Sequence, residues 1–218
     1  MKKLLLVFGA LVLALGVFAD DKGEARDRIQ CRSGLSAPRG GSADEVAEIK
    51  AVIVKNYELT AKGDFAGKLA LYTPDYRETT PEGKTIDYEF AKLLVLSIDG
   101  KHPEEFLLLY VVTVQNNGVM PSAEMIPRIR EAARSPEFVK EYEKLAPAAA
   151  ERIKKTAGAR LKTLEVISVK VDDDHAVAVV ETGEKNWKSE SERRRIATIS
   201  LRKVDGKWMY YRATIKNK

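Results

Sequence analysis

The side chains best suited to chemistry fall in two short stretches. In "AKGDFAGKLALYTPDYRETTPEGKTIDYEFAKLL", Ala61 to Leu94, Tyr72, Asp75, Tyr76 and Glu78 sit close together; in the C-terminal "KWMYYRATIK", Trp208, Tyr210 and Arg212 alternate. Carboxylates can take up a proton, and phenols or a guanidinium can donate to developing negative charge. The same residues can also simply finish a core, so both readings stay open at this point. Histidine, the commonest general base, occurs only as His102 and His175, both at turn signals. That argues against histidine-dependent chemistry and leaves a carboxylate mechanism open. "DDDH", Asp172 to His175, lacks the alternating ligands and glycine of a calcium loop. Zinc spacing, a phosphate-cradling glycine loop and a nucleophile elbow are all missing, so neither metal nor cofactor is expected. Arg193, Arg194 and Arg195 follow "KSESE" and read as the charged start of a strand.

The elements that must position these residues are marked by local signals. Ser42 and Glu45 form an S-x-x-E capping box, and Val46, Ile49, Val52, Ile53 and Tyr57 continue at helical spacing up to Gly63. Asp64 caps a short second helix that Thr73-Pro74 ends, because a residue before proline avoids helical geometry. Asp75 to Thr80 reads as a strand, Pro81 to Lys84 as a turn, and Asp87 as the cap of a third helix. From Asp99 to Ala159 the pattern is mainly helical, with starts at Pro103 and Ser135-Pro136 and breaks expected at Pro127 and Pro147. Within it, "FLLLYVVTVQNN" suits a helix or a buried strand equally.

From Leu161 onward, four strand-like runs separated by turns predict an antiparallel meander. Asp205-Gly206 marks a two-residue hairpin turn. A regular hairpin there places Leu201, Ile199 and Ala197 opposite Tyr210, Arg212 and Thr214, on one face with Trp208. A mostly apolar face would then contain a phenol and a guanidinium, which need partners if covered.

The chain's ends bound where it acts. "MKKLLLVFGALVLALGVFAD" has the basic start, apolar run and small-residue site of a secretory signal peptide cleaved after Ala19. Its apolar run, Leu4 to Phe18, is shorter than the roughly 20 residues a membrane span needs. Residues 20–41 are charged and Gly-rich and read as a disordered tether containing Cys31, the sole cysteine, which cannot form an intrachain disulfide. An exported protein, periplasmic or extracellular, with no membrane span after cleavage, is the expectation. Of 218 residues, 44% are hydrophobic, enough for a substantial core; loss of Lys2 and Lys3 lowers the formal charge from +5 to +3. That charge is too mild to indicate nucleic acid.

With these elements in place, the sequence resembles the nuclear transport factor 2-like superfamily, which includes SnoaL-like and ketosteroid-isomerase-like proteins. The resemblance rests on the long first helix, on "GDFAGKLALYTPDYRETTPEGKTI" and on the closing "VDGKWMYYRA". It covers Ser42 to Ile98 and Leu161 to Lys216. It implies an α+β, cystatin-like fold: a cone-shaped, strongly curved antiparallel sheet wrapped around N-terminal helices, spanning 42–218 with a helical insertion at about 99–159.

It further implies Tyr72 and Asp75 at the cone's entrance, Tyr76 or Glu78 on the first strand, and Tyr210 and Arg212 on the last, with Trp208 beside them. An isomerase or lyase in such a cone would use Asp75 or Glu78 as base and Tyr210 or Arg212 as donor. The preferred reading is structural: Asp75 caps the strand entry and Arg212 pairs with a carboxylate such as Glu181, since neither arrangement needs a catalytic role.

Three functions follow. The first is a non-enzymatic module binding a small apolar or amphipathic ligand, or forming a homodimer through the sheet. The second is a cofactor-independent isomerase or lyase. The third is an envelope interaction protein acting through the insertion.

Overall fold

The computed structural model describes residues 41–116, 119–185 and 192–218, with the side chains of 184, 185, 192 and 193 left aside. The expected signal segment, 1–19, and tether positions 20–40, including Cys31, lie outside the described residues.

Helix α1, Ala43–Lys62, starts at the expected capping box: Ser42 N–H donates to Glu45 Oε2 at 3.1 Å, and Glu45 N–H donates to Ser42 Oγ at 3.2 Å. Lys203 Nζ also reaches Glu45 Oε1 at 2.9 Å, which ties this helix start to the sheet. Gly63 ends α1 at φ 81°, in the left-handed region where a side chain would be strained. Asp64 caps α2, Phe65–Leu69, by accepting from Gly67 N–H. Strands β1, Tyr72–Thr79, and β2, Thr85–Asp87, follow; Asp87 then caps α3, Tyr88–Ile98.

The ambiguous apolar run is helical. α4, Pro103–Tyr110, passes directly into a π-helical turn, Val111–Gln115. A helix apolar on all sides is stable when covered on all sides. Here Phe106, Tyr110 and Val111 face one cluster with Ala133, Phe138, Tyr142 and Ala146, while Leu108, Leu109 and Val112 face another with Leu93.

α5, Met125–Ala132, contains Pro127 near its start, and α6, Pro136–Lys162, is one helix of 27 residues. The break expected at Pro147 does not occur, although an interior proline costs roughly 3 kcal/mol. Tyr142 and Ala146 before it, and Ala149 and Ala157 after it, are buried against neighbours that hold the axis through that position.

Strands β3, Glu165–Asp172, β4, His175–Lys185, β5, Glu192–Val204, and β6, Lys207–Asn217, complete a curved six-stranded sheet in the order β2-β1-β6-β5-β4-β3. The expected α+β architecture is present, with one correction: β1 runs parallel to β6, while the other pairs are antiparallel. The β1 and β6 pairing matches Tyr72 with Tyr210 and Arg77 with Arg212. Between those partners β1 carries Thr73, Pro74, Asp75 and Tyr76, whereas β6 carries only Tyr211. Proline has no N–H to give a ladder, so an irregularity at Pro74 is where the mismatch is least disruptive.

The second irregularity rearranges the last hairpin. The turn forms as expected, with Asp205 at φ 50° and Gly206 at φ 76°. Leu201 pairs with Tyr210, but Ser200 pairs with Arg212, leaving Tyr211 unmatched. One extra residue inverts the facing of all that follow it in the strand. Trp208 and Tyr210 therefore stay on the inner face and are joined there by Ala213, while Arg212 is exposed. The register expected from a regular hairpin fails at this bulge. Ile49 and Ile53 of α1 close the sheet's inner face against Val180, Ile199 and Leu201.

Candidate functional site

Between the inner face of the sheet and the helices lies a cavity of about 150 Å³. A cavity of that order takes up a single ring such as benzene. Its apolar wall comes from Ala197, Ile199, Ala213 and Ile215 on β5 and β6, with Ala157 on α6. The polar wall comes from Asn56, Tyr57 and Thr60 on α1, Lys68 on α2, Tyr72, Tyr76 and Glu78 on β1, Arg160 on α6 and Tyr210 on β6. Tyr72, Tyr76 and Tyr210 form the closed end, at 9%, 2% and 4% exposure. Lys68, Glu78 and Arg160 are half-buried, so the cavity reaches solvent on their side.

Most polar groups at the closed end are matched. The Tyr72 and Tyr76 rings stack at 4.2 Å, and Tyr210 meets Tyr72 edge-on at 5.5 Å. Asn56 Nδ2 donates to the Tyr72 hydroxyl at 3.3 Å, and the Tyr76 hydroxyl donates to Glu78 Oε2 at 2.7 Å. One group there is not matched, and one on the solvent side has no ion pair. The Tyr210 hydroxyl is buried with no hydrogen-bond partner among the described residues. Lys68 Nζ lies 5.9 Å from the Tyr72 ring centre, within the reach of a cation–π contact, but no described carboxylate forms an ion pair with it.

Electrostatics keep these groups in defined states. Burial, with Tyr72 and Glu78 nearby, pushes the Tyr76 phenol well above its ordinary value. Burial does the same to Tyr210, with Tyr72 and Tyr57 adding to it. Both are therefore neutral O–H groups rather than bases. Burial disfavours the charge on Lys68, but Tyr72 and Glu78 together outweigh it and hold the ammonium above the ordinary lysine value. Lys68 is a lasting positive charge on the same cavity as the orphaned Tyr210 donor.

Of the residues singled out from sequence, Tyr72, Tyr76, Glu78 and Tyr210 border this cavity. Asp75, Arg212 and Trp208 do not. The chain irregularity after Thr73 turns Asp75 outward, where Arg202 grips it through Nη1 at 3.0 Å and Nη2 at 2.6 Å, over the Tyr211 ring. The bulge at Tyr211 puts Arg212 outside as well. Glu181, offered as its partner, pairs instead with Arg194 at 3.1 Å and Lys218 at 2.9 Å. Trp208 is buried in the core under Lys203, whose Nζ stands 5.0 Å from the ring centre. Because the Asp75 pair is exposed, Asp75→Ala should lower stability by no more than about 1 kcal/mol and leave cavity binding unchanged. Urea titration checks the first part, and a larger loss would mean that Asp75 holds the chain's path into β1.

Sequence reasoning missed Asn56, Tyr57 as a cavity residue, Thr60, Lys68 and Arg160. A signal existed for the helix: Ile49, Ile53, Asn56 and Thr60 form one buried stripe of α1, apolar in its first half and polar in its second. A buried stripe that turns polar marks a lined cavity rather than a filled core. Nothing local distinguishes Lys68.

No metal-holding group of His, Cys, Asp and Glu side chains occurs among the described residues, and none of the described helices is long and apolar enough to cross a membrane.

No protein-family model matches the chain, and none of the curated proteins does. Among solved structures, it is similar to a nuclear transport factor 2-like protein with a cystatin-like fold from Novosphingobium aromaticivorans, at 12% identity and TM-score 0.44, covering 80% of this chain and 82% of that one. It is similar to a nuclear transport factor 2-like protein of unknown function from Shewanella oneidensis, at 11% identity and TM-score 0.43, over 79% and 98% of the two chains. A ketosteroid isomerase-like protein from Erwinia carotovora gives 13% identity and TM-score 0.41 over 81% and 98%.

Proposed function

We propose that this protein is an exported, non-enzymatic binding module that takes a small amphipathic molecule into the cavity between sheet and helices. The carrying observation is the Tyr210 hydroxyl, buried at the closed end and given no acceptor by the described residues. Such a group costs about 1–3 kcal/mol. An acceptor on a bound molecule offsets that cost, and the apolar wall of Ile199, Ala213 and Ile215 supplies the contact surface.

Tyr210→Phe removes the orphaned donor without changing the ring. It should stabilise the ligand-free protein by about 1 kcal/mol in chemical denaturation while weakening ligand uptake. A loss of stability instead would show that the hydroxyl is already satisfied and would remove the main support for a binding site. The neutral one-ring compound p-cresol should shift the methyl resonances of Ile199 and Ile215 saturably; no saturable shift with either p-cresol or benzoate at millimolar probe would end the reading.

Export is tested by sequencing the N-terminus of protein recovered from the periplasm or medium, which should begin at Asp20.

A second reading is supported by one arrangement, Glu78 and Tyr210 on the same cavity. It is the only pairing of the proposed bases and donors in which both members border the cavity. It makes the protein an isomerase or lyase with Glu78 as base, and Glu78→Gln would then abolish turnover while leaving binding in place.

A further inference from the structure

Lys68, a cation on the cavity wall that forms no ion pair with a described carboxylate, names the class of molecule that fits the cavity. Lys68 is half-buried and permanently charged, and it forms no ion pair with a described carboxylate. Glu78, the one carboxylate among the described residues of the cavity wall, accepts the Tyr76 O–H at 2.7 Å. Tyr72 and Glu78 already favour the charge on Lys68, so it stands as a positive group beside which no described carboxylate has taken the ion-pair position. A ligand that brings one negative charge would gain an ion pair there, and Glu78 opposes a molecule bringing two. Arg160 adds positive potential on the same side. The remainder of the cavity accepts an apolar body of about one ring, given its volume of about 150 Å³.

We infer that the ligand is a one-ring monocarboxylic acid whose carboxylate takes Lys68 as its counter-ion and whose body lies against Ile199, Ala213 and Ile215, with the Tyr210 hydroxyl donating to one of its oxygens. This rests on the binding role proposed above and adds the charge and size of what is bound.

Benzoate and benzamide are nearly the same shape and differ in charge, so together they isolate the contribution of Lys68. In calorimetric titration of the purified protein, benzoate should bind roughly ten- to a hundredfold more tightly than benzamide, the ratio a charged hydrogen bond supplies. Lys68→Gln should erase most of that ratio and Lys68→Arg should keep most of it. Saturable p-cresol binding with no preference for benzoate would overturn this inference while leaving the binding role standing. If neither p-cresol nor benzoate binds, both fail. Benzylamine binding more tightly than benzoate would assign the cavity to cations through Glu78, and inorganic phosphate binding as tightly as benzoate would show that the apolar wall selects nothing; either result overturns the inference. The comparison of benzoate with benzamide on the unaltered protein stands even if the Lys68 variants fold poorly.

Discussion

Deleting Tyr211 is expected to leave the cavity wall in place. Tyr211 is the residue without a partner in the β5 and β6 pairing. Its removal makes that ladder regular with the present partners kept, Leu201 opposite Tyr210 and Ser200 opposite Arg212, so Ala213 and Ile215 still face the cavity and Arg212 still faces out. The loss read in urea or guanidinium denaturation should be confined to the Tyr211 ring contacts with Arg202 and His175, about 1 kcal/mol. Tyr211→Ala removes the same ring and keeps the extra residue, so the two changes should destabilise alike. If the deletion costs far more than Tyr211→Ala, the bend that the extra residue gives the strand, not the ring, is what matters at this position.

Phe106→Ala should cost about 3–5 kcal/mol, the usual range for emptying a buried aromatic site. Phe106 has 0% exposure and meets the Tyr142 ring edge-on at 5.3 Å. Its cluster is built from α4, the π-helical turn, α5 and α6, with none of its members on the sheet. Amide exchange should accordingly quicken most across 103–146 and least in β4 and β5. Equal acceleration in both regions would mean that the helical layer and the sheet unfold as one cooperative unit.

What the sequence discloses about this fold depends on how local the cause is. The caps at Ser42, Asp64, Asp87 and Ser135 form where side-chain oxygens precede apolar runs, and each accepts the expected backbone N–H. The Asp205-Gly206 turn is equally local. Tyr76 and Glu78 reach the cavity by alternation along β1, and Tyr210 by alternation from the hairpin turn, whereas Tyr72 reaches it in a strand that starts at Tyr72 and not at Asp75 as expected. Asp75 and Arg212 fail because Asp75 lies in the stretch where β1 carries four residues against one in β6, and Arg212 lies just past the one extra residue of β6, and no glycine marks either place. A single inserted residue reverses facing, so an error of one position becomes an error of face. The parallel pairing of β1 with β6 joins segments from opposite ends of the folded region, and only the closed sheet selects it. α6 runs through Pro147 for a similar reason: the contacts that hold it are distant in sequence, while the proline that argues against it is local.

That helix has a mechanical consequence. At 1.5 Å rise per residue its 27 residues form a rod about 40 Å long. Its first half, with Phe138, Tyr142 and Ala146, is embedded in the helical layer, and its last turns bring Ala157 and Arg160 to the cavity wall. A ligand in the proposed site that pushed on Ala157 would act on the lever arm that carries Tyr142. Pro147, where the rod lacks one internal hydrogen bond, is where it would bend most readily: bending there would uncouple the two ends, and stiffness there would carry the push to the far end of the helix.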